Sequence, residues 1–174
     1  MQNATDQLEI YKYCPNCKYA LISQTIENEE VKKCNNCGFI FWNKSKPVVS
    51  ILIHDNGEIL MLQRANEPFK NYWVLPGGFI KLKETAEIAI KREAKEETGL
   101  DINIERIIGT YLIDDDPRGT HLDIIFSGTV KGGILLSQED KKWQYFSTNA
   151  LPEKIAYKHR DAINDWADNR DQHQ

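Results

Sequence analysis

Residues 77–100, GGFIKLKETAEIAIKREAKEETGL, put Glu93, Glu96 and Glu97 on one turn of a predicted helix. Thr85 is the expected N-cap, Ala86, Ala89, Ile90 and Ala94 form the apolar stripe, and Gly99 stands where the helix should stop. At spacings i, i+3 and i+4 the three carboxylates share a face and repel by roughly a few tenths of a kcal/mol per pair. They also sit at the negative end of the helix dipole, where further negative charge is disfavoured. Something must offset that cost. The candidates are the cations Lys91, Arg92 and Lys95, solvent, or a bound metal ion. Mg²⁺ and Mn²⁺ prefer such oxygen ligands, commonly one or two carboxylates completed by water and substrate phosphates. The Gly77-Gly78 pair just upstream lets backbone approach a ligand closely.

Written as a pattern, the stretch is Gly78, five residues, Glu84, seven residues, then Arg92-Glu93-Ala94-Lys95-Glu96-Glu97-Thr98-Gly99-Leu100. It resembles the Nudix box, G-x5-E-x7-R-E-U-x-E-E-x-G-U with U aliphatic. Ala94 is the one small residue at a U position, and the approach Trp73-Val74-Leu75-Pro76-Gly77 is similar to that of the family. The resemblance runs from about Pro47 to about Trp166. It implies an α/β fold, a mixed β-sheet sandwiched between helices, and hydrolysis of a nucleoside diphosphate linked to another group X. It also implies Glu93, Glu96 and Glu97 as ligands of Mg²⁺ or Mn²⁺, with the Gly77 carbonyl as a backbone ligand and Glu93 and Glu97 in catalysis. Arg92 would orient a box glutamate, and Glu84 would lie near the metals or hold the loop. The general base is a box glutamate or an acid from a distant loop, where Glu139 and Asp140 are the candidates.

Outward from the box, the chain has 174 residues, 41% hydrophobic, and a net charge of -4. That supports one ordinary core with a small appendage. The acidic balance weighs against a general nucleic-acid binder. No apolar run is long enough to span a bilayer, and MQNATDQLEI lacks a signal pattern, so the cytoplasm is the expected location. A homodimer is left open.

Cys14-Pro15-Asn16-Cys17 and Cys34-Asn35-Asn36-Cys37 form a C-x2-C-x16-C-x2-C array. This spacing reads as a closed, four-thiolate structural Zn²⁺ site. The other readings are disulfides, disfavoured without a secretory signal, and four unconnected thiols. The expected organisation is a zinc ribbon over 11–42, a linker at 43–47, and a hydrolase domain over 47–170. Expected strands are Ala20 to Ile26, Val48 to His54, Glu58 to Gln63, Ile102 to Ile113, Leu122 to Val130 and Trp143 to Phe146, and a last helix runs from Leu151-Pro152 to about Trp166. Asn56-Gly57 marks a hairpin.

Arg64 and Arg118, the latter on a polar loop, are candidates for substrate phosphate, Arg64 against the alternative of pairing with a surface acid. Phe69, Tyr72 and Tyr111 are candidates for base stacking or packing. His54, His121, His159 and His173 show no ligand spacing and read as ordinary.

For X, two marks diverge. A ribbon before the box resembles NADH pyrophosphatases, but their S-Q-P-W-P-F-P-x-S array is absent, with only Ser137-Gln138 followed by Glu139-Asp140. Pro117, seventeen residues past Leu100, is similar to the proline of ADP-ribose pyrophosphatases, one residue out of register. ADP-ribose or a related nucleotide sugar ranks first and NADH second. A different class, a nucleotide sensor or a ribbon-based binding module, is opposed by the intact box.

Overall fold

The computed structural model describes residues 6–137 and 142–171. The chain divides into two compact units, Met1–Ser45 with Asp114–Thr120, and Lys46–Ile113 with His121–Gln174.

In the first unit a short helix α1 (Asp6–Ile10) precedes three antiparallel strands, β1 (Leu21–Ile26), β2 (Glu29–Cys34) and β3 (Ile40–Trp42), with β2 central. The Glu27-Asn28 turn between β1 and β2 has both residues at positive φ, 51° and 64°. Expectation stopped at β1; the charged stretch Glu29-Glu30-Val31-Lys32-Lys33 lacks a clear apolar alternation, yet Val31 and Cys34 are fully buried.

The second unit holds the mixed sheet. β4 (Lys46–Asp55) turns at Asn56-Gly57 into β5 (Glu58–Gln63), followed by the short β6 (Trp73–Val74) and β7 (Gly77–Phe79). Asn56 and Gly57 both have positive φ, as a two-residue hairpin requires. After helix α2 (Ala86–Thr98) come β8 (Leu100–Ile113), β9 (His121–Gly133), β10 (Trp143–Ser147) and helix α3 (His159–Asp171). The strand order is β10-β5-β4-β9-β8, with β6 on β5 and β7 on β4. β4 and β9 run parallel, and the other pairings are antiparallel.

The period-2 alternation of β4 separates two cores. Val49, Ile51 and Ile53 pack with Leu60, Phe126 and the α2 residues Ala89, Ile90 and Ala94. Leu52 packs with Ile59, Met61, Ile125 and the α3 residues Ala162, Ile163 and Trp166. The result is a helix-sheet-helix sandwich.

The last helix corrects one boundary. It begins at His159, not at Leu151-Pro152, because the preceding residues pair with β6 instead: Trp73 N–H donates to Lys154 O, Ala156 N–H donates to Trp73 O, and Tyr157 adopts φ 60°.

Candidate functional site

The box begins as a strand. β7 pairs with β4 so that Gly78 lies opposite Val49 and Gly77 opposite Ser50. A Cβ on Gly77 would stand 2.2 Å from Val49 O, and one on Gly78 would stand 2.7 Å from the Glu93 carboxyl carbon. Glycine at these positions is therefore required by strand approach in one case and by carboxylate approach to backbone in the other.

Helix α2 then presents the acids. Thr85 accepts from Ile88 N–H at 3.4 Å, and Gly99 ends the helix at φ 79°. Gly77 N–H donates to Glu97 Oε2 at 2.9 Å, tying the last turn of α2 to the residue just before the box. Arg92 is the hub for the other acids. Its Nε and Nη2 grip Glu84 at 2.7 and 2.8 Å, Nη1 reaches Glu93 at 2.6 Å and Glu96 at 3.2 Å, and Nη2 also donates to Phe79 O. Hydrogen bonding from Arg92, and then from Lys81 N–H, pulls the Glu84 carboxyl down to about 2. The Glu84 bonds in turn make the Arg92 guanidinium hold its proton more firmly.

This arrangement answers the charge problem in part. Lys95 turns to Gly99 O and Asp101, leaving Arg92 and the longer contact from Lys81 to Glu96 as neutralising cations. Glu84, Glu93 and Glu96 thus share Arg92, with Lys81 beside Glu96, so the carboxylates of this cluster outnumber its cations. An all-oxygen donor set with an excess of carboxylates fits a divalent hard cation.

In the first unit the two knuckles repeat one geometry. Cys14 N–H donates to Tyr19 O and Cys34 N–H to Phe39 O, each at 2.8 Å, while Cys14 O and Cys34 O accept from Lys18 and Gly38 N–H. Lys18 and Gly38 hold matching positive φ, 63° and 78°. The four Sγ atoms lie within 4.8 Å of one another, with Cys14–Cys37 at 3.5 Å and Cys17–Cys34 at 3.4 Å. All four cysteines are free of disulfides. A tetrahedron with metal–sulfur bonds of about 2.3 Å has edges of about 3.8 Å, so the set fits a zinc ion. Hydrogen bonding from the Asn36 side chain lowers Cys17 to about 6. On Cys37 a bond from the Phe39 backbone is outweighed by the Cys14 thiol and by desolvation, which push it up to about 12. The shift at Cys17 favours its thiolate, the form that binds metal.

Other expected residues are engaged elsewhere. Arg118 clasps the buried Asp116 through Nε and Nη2, within the first unit. Arg64 donates to Pro68 O and lies over the Tyr157 ring at 5.4 Å. Phe69 and Tyr72 pack on the cluster of Leu62, Val74 and Ala156, and Tyr111 donates to Asp165. Glu139, Asp140 and His173 lie outside the described residues. Among those described, the cysteines form the metal-competent group that is already drawn together; of the box acids, Glu93 and Glu96 turn to Arg92 and Glu97 to Gly77 N–H.

Sequence reading missed a buried trio. Ser50 Oγ donates to Asp123 Oδ2 at 2.9 Å, and His159 Nε2 lies 3.3 Å from both. These residues are separated by up to 109 positions, so no local spacing marks them. Reading His159 as an ordinary histidine left out this network.

Comparison with known proteins agrees with this geometry. Residues 44–166 match the NUDIX domain family, and the chain belongs to that family. Its class is that of the Nudix hydrolases. An ADP-ribose pyrophosphatase of Methanocaldococcus jannaschii is 41% identical over 124 residues, covering 69% of this chain and 73% of the relative. The NAD-capped RNA hydrolase NudC of Vibrio atlanticus is 27% identical over 144 residues, covering 82% of this chain and 51% of the relative. The crystal structure of a NUDIX hydrolase from Nitrosomonas europaea shares the fold with a TM-score of 0.79 at 21% identity, covering 94% of each chain. No helix among the described residues is long and apolar enough to cross a membrane.

Proposed function

We propose that this chain hydrolyses the pyrophosphate bond of a nucleoside diphosphate linked to X, with ADP-ribose first among substrates. The observation that carries the reading is the complete box held on α2 against β7, with Glu97 on Gly77 N–H and Glu84, Glu93 and Glu96 gathered on Arg92. The ADP-ribose pyrophosphatase at 41% identity supports the choice of X.

Glu93, Glu96, Glu97 and the Gly77 carbonyl hold Mg²⁺ or Mn²⁺ in this proposal. When bound, such a cation screens phosphate charge and orients the reacting oxygens. Arg92 and Glu84 keep the loop closed on the helix. Glu139 remains the candidate acceptor of the water proton, alongside a box glutamate. The oxygen of water bonds to phosphorus as the bridging P–O bond breaks, giving AMP and ribose 5-phosphate from ADP-ribose. The second ion, Zn²⁺, is held by Cys14, Cys17, Cys34 and Cys37 in a ribbon over 11–42, separate in role from a hydrolase domain over 47–170.

NADH is the second reading, favoured by the cysteine array ahead of the box and by the NudC relatives. A panel of dinucleoside diphosphates with Mg²⁺, read by product chromatography, separates them. The expected result is a higher kcat/KM for ADP-ribose than for NADH. The reverse order would assign the ribbon-bearing NADH class. Binding without turnover of any member would assign a nucleotide sensor.

A further inference from the structure

We propose that His159 is a positioning residue which, with Asp123 and Ser50, sets the Leu75–Gly78 turn and thereby the direction of the Gly77 carbonyl. The proposal rests on the hydrolase reading above for its effect on turnover.

His159 opens α3, on the opposite face of the sheet from the acidic helix. Its Nδ1 accepts from Leu75 N–H at 2.9 Å. A ring nitrogen that accepts carries no proton, so the ring is neutral with its hydrogen on Nε2. That hydrogen points toward Asp123 and Ser50, which are buried at 1% and 5% exposure beside a 3% exposed His159. The trio is not a nucleophilic triad. Ser50 gives its proton to Asp123, and the free lone pair of the imidazole is already spent on Leu75.

Three successive residues of the turn are thus each fixed by one hydrogen bond. Leu75 N–H is held by His159, Pro76 O by Ile51 N–H at 2.9 Å, and Gly77 N–H by Glu97 at 2.9 Å. Ser50 also lies beneath Gly77, close enough that an added Cβ would stand 2.7 Å from its Oγ. Pro76 O and Gly77 N–H lie in one peptide plane; the Gly77 carbonyl lies in the next, and the pairing of Gly78 with Val49 in β4 holds its far side, so the carbonyl is bracketed between two restrained points. Removing the His159 acceptor leaves a buried N–H unpaired on the segment that must hold its direction, and the turn relaxes.

Two substitutions split the ring in half. His159→Asn keeps an acceptor near the Nδ1 position, whereas His159→Gln carries its amide to the Nε2 position and leaves Leu75 unpaired. In His159→Gln, kcat on the best dinucleotide should fall on the order of 10- to 100-fold with KM within about threefold, while His159→Asn stays within about threefold of the parent in kcat. Both should lose similar thermal stability, since each breaks half of the network. The readout independent of activity is NMR. The His159 ring should show a bare Nδ1 and a protonated Nε2. The Gly77 and Gly78 amide signals should move on adding Mg²⁺ in the parent and in His159→Asn, and much less in His159→Gln. A protonated Nδ1, or equal kcat and equal Mg²⁺ response in the two variants, overturns the proposal. If the parent turns over no dinucleotide, the hydrolase reading falls, and the ring tautomer with the Gly77 response still decides this one. If neither His159 variant folds, Ser50→Ala probes the same support: a displaced Gly77 signal with lowered kcat upholds it, and no change in either overturns it.

Discussion

In the first unit the described buried apolar side chains are Leu8, Val31 and two of the four cysteines, Cys14 and Cys34. In the second unit two separate clusters fill both faces of a sheet, with Ile51, Ile53, Phe126, Ile163 and Trp166 among their buried members. A unit of some fifty residues without a filled core stays marginal unless a metal or other staple supplies the difference. The second unit stands on apolar burial and can carry a charge imbalance at its box. On the proposed reading, one chain would use a metal in two ways. In the ribbon the metal would hold the fold together, and at the box it would relieve a repulsion that the fold already tolerates.

The strongest test of that contrast is metal removal from the cysteines. Structural zinc contributes about 10–16 kcal/mol of apparent binding free energy to modules of this kind. Chelation, or Cys34→Ser, should therefore abolish the thermal transition of the first unit and leave that of the second in place. Elemental analysis should find one zinc per chain beforehand. One transition that shifts as a whole, or freshly purified protein without zinc, would break the comparison.

A smaller effect belongs to the box. Glu97→Gln should lower kcat by about 10²–10³-fold, the rate equivalent of ~2.7–4 kcal/mol of lost charge stabilisation. The metal-free variant should melt at or slightly above the parent, because one like charge has left the helix face. Mg²⁺ should then raise the melting temperature of the parent more than that of the variant. Normal turnover with an unaltered Mg²⁺ response would mean the acids are a solvated face.

The smallest effect is the acid limb of the Glu84–Arg92 latch. Glu84 is depressed from 4.5 to about 2 in the folded chain. A depressed carboxyl contributes stability that is fully present above its unfolded value and is lost as pH falls through its folded value. The melting temperature of the second unit should thus decline between about pH 4.5 and pH 2 more steeply in the parent than in Glu84→Gln. Parallel slopes would remove Glu84 from the latch.

What could be read in advance follows from distance along the chain. Thr85, Gly99 and Asn56-Gly57 act on neighbours a few residues away, and the structure has the cap, the stop and the hairpin where they indicate. The two Cys-x-x-Cys pairs were legible because metal spacing is itself local. The late start of α3 was not, since pairing with Trp73, some eighty residues earlier, holds 154–156 out of the helix. Ser50, Asp123 and His159 are each unremarkable in sequence and meet only after β4, β9 and α3 assemble. Arg118 shows the same limit from the other side: its partner Asp116 is two residues away, yet nothing in the sequence says that Asp116 is buried.

β4 and β9 lie parallel, so every residue from β5 through β8, the box included, is the connection between two adjacent strands. During synthesis from the N-terminus, β4 emerges with its apolar residues in place but waits for His121 to Gly133 before its inner edge is paired. Closing so long a connection is slow compared with forming α2 or the Asn56-Gly57 hairpin, which need only local contacts. The whole acidic-helix segment is therefore synthesised before the sheet that must support it, and a 13-residue helix without that packing is only marginally stable. His159 arrives later still, so the anchor on Leu75 is added last. A ribosome-bound chain ending near Lys158 would have all its box glutamates and no fixed turn for them to work against.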